Sequence, residues 1–113
     1  MRREERLTKN SQFAAVFQYG KSWANGLMVI RAMPNGLSFS RFGFVISKRT
    51  HKKAVVRNRV KRRMREVVRL NSIEPGWDVV FIARKGSIEA DYNKIEGAIL
   101  DLLRRAKLLR RDS

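Results

Sequence analysis

The spacing of apolar residues along this chain switches between helical and alternating periods, and the switches divide it into elements. Between Asn10 and Gly20, Phe13, Val16 and Phe17 follow an i, i+3, i+4 spacing and predict a short helix over 10–20. Asn10 or Ser11 is suited to cap its start, and Gly20 to end it in a left-handed conformation. Residues 21–33 and 38–47 read as two strands joined at Pro34-Asn35-Gly36, a hairpin signal. In the second, Phe44 and Ile46 point one way and Gly43, Val45 and Ser47 the other.

From Ala54 to about Asn71 the period is helical again. Val56, Val60, Met64, Val67, Val68 and Leu70 fall mostly on one side at about 100° per residue. Pro75-Gly76 breaks the chain, and 77–83 (WDVVFIA) is a nearly continuous apolar run, the pattern of a buried strand. A last helix is predicted from about Asp91 to Leu109, with Ile95, Ile99, Leu102 and Leu103 as its stripe. Glu89 and Asp91 stand where that helix begins, so capping and the helix dipole account for them. The order helix, strands, helix, strand, helix predicts an α+β fold: a two-layer αβ sandwich, one small central sheet with about three helices. With 113 residues, no internal repeat and no low-complexity linker, the chain reads as a single domain, 1–113.

Charge changes the picture most. The net formal charge is +16, from 26 basic and 10 acidic residues, which attracts polyanions. The segment Ala54–Leu70 carries seven of the cations, Arg57, Arg59, Lys61, Arg62, Arg63, Arg65 and Arg69, against one acid, Glu66. Lys61, Arg62, Arg65 and Arg69 project away from the apolar side with Asn58 among them, while Arg63 lies inside the apolar arc, so either it snorkels past the core edge or the apolar face is narrower than this arc. Like charges at i, i+4 (Arg57, Lys61, Arg65, Arg69) weaken a free helix, a cost that makes sense if phosphates occupy this face. The preceding loop adds Lys48, Arg49, Lys52 and Lys53. Arginine suits phosphate because its planar fork bonds bidentately and stacks on bases. Asn58 is either a reader of a base edge or an exposed polar residue. Phe13 and Phe17 are either core residues or a stacking platform for unpaired bases.

Other function classes fare poorly. No apolar run has the roughly 18 residues of a membrane span, and the N-terminus MRREERL lacks a signal peptide's apolar stretch. There is no cysteine for a disulfide or a thiolate zinc site. His51 is the only histidine, and the acids are scattered, so neither acid–base nor two-metal nuclease chemistry is expected of the protein itself. The location expected is the cytoplasm. A ribosomal or other structural RNA-binding protein is the alternative that the charge alone allows.

The segment KAVVRNRVKRRMRE resembles the RNR signature of the protein subunit of bacterial ribonuclease P. The matching positions are Arg57, Asn58, Arg59, Lys61, Arg62 and Arg65. RLTKNSQFAAVFQYGKSWAN is similar to that family's N-terminal segment, RFGFVISKR to its central strand and DVVFIARKG to its last strand. The resemblance implies a left-handed crossover around the RNR helix and a binding protein that makes a ribozyme effective. On that reading the catalytic RNA subunit and precursor tRNA are the partners, with no membrane or protein partner expected. Magnesium belongs to the RNA, and the holoenzyme removes the 5′ leader from precursor tRNA. It places Phe13 and Phe17 in a cleft for single-stranded leader, together with Val45 and Arg31. Arg31 aligns with a cleft aromatic of some relatives, implying charge or guanidinium stacking there instead.

Overall fold

A computed structural model describes residues 2–110. A four-stranded sheet is its centre: β1 (Lys21–Ala24), β2 (Met28–Pro34), β3 (Arg41–Val45) and β4 (Trp77–Ala83), in the order β1-β2-β4-β3. β4 is the run 77–83. Apart from Asp78 it is apolar on both faces, because it is paired on both edges, antiparallel to β2 and parallel to β3, and is covered by α2 and α3 on one face and in part by α1 on the other. The helices are α1 (Asn10–Tyr19), α2 (Ala54–Arg69) and α3 (Tyr92–Arg105).

α2 and α3 pack on one face of the sheet. Val60, Met64, Val67 and Val68 of α2 and Ile95, Ile99, Leu102 and Leu103 of α3 close over Met28, Ile30, Phe42, Val79 and Phe81. These two layers form the main core. α1 lies on the opposite face, where Val16 packs with Leu7 and Val80. It leaves part of that face open.

Several local expectations need correction. The run 21–33 is two strands, folded into a hairpin at residues 25–27. Asn25 makes that turn: its Oδ1 accepts from the backbone N–H of Leu27 (3.1 Å) and Met28 (3.0 Å). Its Nδ2 donates to the Ala98 carbonyl (3.0 Å) and Asp101 Oδ2 (3.1 Å), tying the hairpin tip to α3. Pro34-Asn35-Gly36 is a turn but joins no hairpin, because β4 lies between β2 and β3. Gly36 has the positive φ (73°) that the turn demands.

α1 is capped neither by Asn10 nor by Ser11. Gln12 Oε1 reaches back to the N–H groups of Thr8 (2.9 Å) and Lys9 (3.0 Å). Gly20 is extended (φ −73°), not left-handed. Glycine is needed there for close approach instead, since a Cβ would fall 2.5 Å from the Val16 carbonyl oxygen. α3 stops four residues short of Leu109. Its end is a Schellman turn, with the N–H of Leu108 on the Leu103 carbonyl (2.8 Å) and that of Lys107 on Arg104 (3.0 Å). Lys107 takes the left-handed position (φ 59°), which costs a non-glycine residue about 1 kcal/mol. The tail then pairs with the segment after α2, Arg110 N–H on Ser72 O (2.9 Å) and Glu74 N–H on Leu108 O (2.8 Å).

β3 and β4 are also cross-linked by side chains. Arg41 and Asp78 are register partners, and the guanidinium grips the carboxylate in a fork, Nε–Oδ1 2.8 Å and Nη2–Oδ2 2.7 Å. Asn35 Nδ2 adds a third donor to Asp78 Oδ1 at 3.0 Å. The forked bond to Asp78, the larger effect, outweighs desolvation and raises the Arg41 pKa above its ordinary value.

Candidate nucleic-acid interface

The buried side of α2 orients everything on its outer side. With Val60, Met64, Val67 and Val68 in the core, Asn58, Arg59, Arg62, Arg65 and Arg69 are exposed, and Arg57, Lys61 and Arg63 are half-buried. Leu70, read as part of the apolar side, is exposed at the helix end. Not all these cations are free to bind. Arg57 Nη1 donates to the carbonyls of His51 (2.8 Å) and Lys52 (2.7 Å), so it closes the 48–53 loop onto the helix. Arg63 snorkels as expected and finds a partner, the Ala90 carbonyl at 3.0 Å, at the entrance to α3. Arg69 is paired with Glu66 (Nε–Oε2 3.0 Å), and that hydrogen bond is the main reason the Glu66 carboxyl titrates below its ordinary value. Arg59, Lys61, Arg62 and Arg65 therefore form the uncompensated charge of the face among the described residues, Lys61 half-buried and the other three exposed, with the neutral Asn58 beside them. Lys48, Arg49, Lys52 and Lys53 extend it along the exposed loop.

The other predicted group gathers on the opposite sheet face. Arg31, Val80 and Gly43 are consecutive register partners across β2, β4 and β3; Val29, Ile82 and Val45 form the next row. α1 covers the first row and leaves the second half-exposed. Phe13 is half-buried against Leu7 and Gly43, whereas Phe17 is 43% exposed at the edge of this groove. The two readings of these aromatics are thus divided between them: Phe13 is partly core, and Phe17 presents its ring to solvent. Arg31 does not stand in the groove as a free charge. Its Nη2 donates to the carbonyls of Phe17 (2.7 Å) and Gly20 (3.1 Å), holding the C-terminal end of α1 against β2.

One contact stands on the α2 side of β3, at the strand edge that separates the two surfaces. The Arg65 guanidinium lies 5.8 Å from the centroid of the Phe44 ring, and Phe44 stacks in turn on Phe81 (5.4 Å, 13° between planes). Arg65 and Phe13 both line a small pocket of about 100 Å³ at the edge of β3. The cationic helix and the aromatic groove are consequently neighbours around that edge. Nothing in the sequence pattern separates Arg65 from Arg62 in this respect, because the pairing depends on where β3 lies beside α2.

His51 Nδ1 accepts from the Lys53 N–H at 3.1 Å, which makes it a loop-shaping residue. Among the described residues no three His, Cys, Asp or Glu side chains cluster as a metal site. Among the described residues, too, no helix is long and apolar enough to cross a membrane.

A small α+β domain with an uncompensated cationic helix on one side and an aromatic-edged sheet groove on the other belongs to the class of basic, polyanion-binding modules. The model of the family described as Ribonuclease P matches residues 1–107, and the chain belongs to that family. It is 42% identical over 111 residues to the ribonuclease P protein component of Alkaliphilus oremlandii, covering 96% of each chain. To that of Clostridium botulinum it is 41% identical over 107 residues, covering 92% of this chain and 96% of the relative. The solved RNase P protein of Staphylococcus aureus superposes with a TM-score of 0.84 at 29% identity, covering 94% of this chain and 98% of the other. That of Thermotoga maritima superposes with a TM-score of 0.81 at 36% identity, covering 89% and 96%.

Proposed function

We propose that this protein binds the catalytic RNA of ribonuclease P and the 5′ leader of precursor tRNA, assisting endonucleolytic removal of the leader. The observation that carries the reading is the adjacency of two unlike surfaces around the edge of β3. The exposed arginines of α2 suit the phosphates of a structured RNA, and the part of the opposite sheet face left open beside Phe17, Phe13, Val45 and Arg31 suits unpaired nucleotides. Arg59, Arg62 and Arg65, with Lys48, Arg49, Lys52 and Lys53, neutralise phosphate and so lower the repulsion between two RNAs. Arg57 holds the loop that presents four of these cations. Arg31 sets the position of α1, and through it the width of the groove. The protein contributes binding and orientation; bond cleavage and its magnesium ions are assigned to the RNA. A purely structural RNA-binding protein would use the charge but has no need of the groove.

The test is reconstitution with a cognate catalytic RNA. The holoenzyme should cut precursor tRNA at the mature 5′ end, and protein freed of RNA should not cut at all. Phe17→Leu keeps an apolar side chain but loses the aromatic plane. It should weaken holoenzyme affinity for long-leader precursors by about 1 kcal/mol or more, and leave mature tRNA and very short leaders unchanged. Equal losses on all three substrates would remove the groove from leader binding.

A further inference from the structure

The C-terminal end of α3 carries cations that the surfaces described above do not use. Arg104, Lys107 and Arg110 line a concavity of about 610 Å³ with Glu74 and Leu109. The bland account is that basic residues in a last helical turn complement the helix dipole. It covers Arg104 and Arg105, but Lys107 and Arg110 lie beyond the helix. Arg105 is also spent locally, on the Ala24 carbonyl (2.9 Å) and beside Asp101 (3.6 Å). Arg104, Lys107 and Arg110, by contrast, make no ion pair among the described residues. Lys107 occupies a left-handed position that glycine would fill without strain (φ 59°), so its ammonium stands there at a backbone cost. The backbone beneath these side chains is fixed by the Schellman turn and by the Ile73–Leu109 bridge, and a fixed backbone lowers the entropy lost on binding. α3 packs on the sheet face opposite α1, so this concavity cannot share the nucleotides held in the groove.

We infer that Arg104, Lys107 and Arg110 form a second RNA-backbone contact surface, which takes the phosphates of a structured RNA independently of the exposed face of α2. The inference rests on the functional reading above. Two RNAs offer that chemistry, the catalytic RNA and the body of the tRNA. Glu74 lines the same concavity and repels phosphate from its own side, so the cations are the contact points.

The experiment uses Lys107→Gly and Arg104→Gln, singly and together, with Arg62→Ala as reference. Lys107→Gly should melt at or above the wild-type temperature, since it relieves the left-handed residue, and yet bind RNA at least about threefold more weakly. Each lost cation should make the log–log salt dependence shallower by about 0.7–0.9, and the double variant by about 1.5. Loss measured against the isolated catalytic RNA assigns the surface to that RNA; loss seen only in holoenzyme affinity for both precursor and mature tRNA assigns it to the tRNA body. Arg104→Gln leaves the turn intact and guards against a folding artefact. If the double variant matches wild type in affinity and salt slope on both RNAs while Arg62→Ala weakens binding, the second surface does not exist. If the wild-type protein itself fails to bind the catalytic RNA, the functional reading falls and this inference with it.

Discussion

The ring of Phe13 lies over the bare backbone of Gly43: a Cβ at Gly43 would fall 2.5 Å from Phe13 Cε1 and 2.8 Å from Cζ. No real Cβ sits so close, so the phenylalanine would have to tilt away from β3. Gly43→Ala should cost about 1–2 kcal/mol of stability from overpacking. Because Phe13 shares its helix with Phe17, the variant should also weaken holoenzyme binding to long-leader precursors more than to mature tRNA. Denaturant unfolding and graded-leader binding check the two parts. Unchanged stability and unchanged affinity together would show that the ring does not depend on the absent side chain.

The two sides of α2 should respond oppositely to truncation. Val60 is fully buried, so Val60→Ala should lose about 2 kcal/mol through cavity formation. Arg62 is exposed and outside the core, so Arg62→Ala should stay within about ±0.5 kcal/mol in stability. The arginine variant should reduce RNA affinity and make its salt dependence shallower by about 0.7–0.9 in log–log slope. Thermal melts beside salt-titrated binding decide it. A melting arginine variant with an intact valine variant would invert the faces.

Arg41 and Asp78 form a forked ion pair with side-chain exposures of only 22% and 6%. Removing the anion leaves a guanidinium with one neutral acceptor between two strands. Asp78→Asn should therefore destabilise the fold by about 2–3 kcal/mol, somewhat less than for a fully buried pair, because Arg41 keeps some access to water. RNA affinity below the melting transition should be retained, since neither residue belongs to the proposed binding surfaces. Replacing both residues with apolar side chains should recover much of the loss, which a double-mutant cycle by denaturant unfolding measures.

The Tyr92 hydroxyl is buried without a hydrogen-bond partner among the described residues. Burial is the main reason its pKa lies above the ordinary value of 10.0, with the Glu96 and Glu66 carboxylates adding to it. The neutral phenol is therefore favoured in the folded state. Its contribution to stability is complete below the unfolded pKa, near 10, and is lost as pH rises from there through the higher folded value. Tyr92→Phe removes an unsatisfied polar group, so it should leave the melting temperature at neutral pH unchanged or raised. It should also lessen the loss of stability above pH 10. Melts as a function of pH, with ultraviolet titration of the phenols, test both; a strongly destabilised Tyr92→Phe would mean the hydroxyl has a partner.

Much of this molecule was legible in local periodicity. The run 77–83 is β4 without adjustment, α2 begins at Ala54 as its pattern requires, and the alternation through 43–46 assigns those residues to the correct faces. The outward direction of Asn58, Arg62, Arg65 and Arg69 followed from the same arithmetic, because burying Val60, Met64 and Val67 leaves one outward side, whereas Lys61, read as outward too, is half-buried. Asn25-Gly26 was a readable hairpin signal inside 21–33, overshadowed by the continuity of the strand-like pattern around it.

The rest depended on contacts between residues far apart in the chain. Strand order places β4 between β2 and β3 because its apolar run is buried only when both its edges are paired and both its faces covered. Pro34-Asn35-Gly36 specifies a local turn and says nothing of what enters beside it. The same distance in sequence hid the work of Arg31 on the end of α1, of Asn25 on α3 and of Arg65 on Phe44. Periodicity fixes which way a side chain points relative to its own neighbours in sequence. What it meets there is decided by packing.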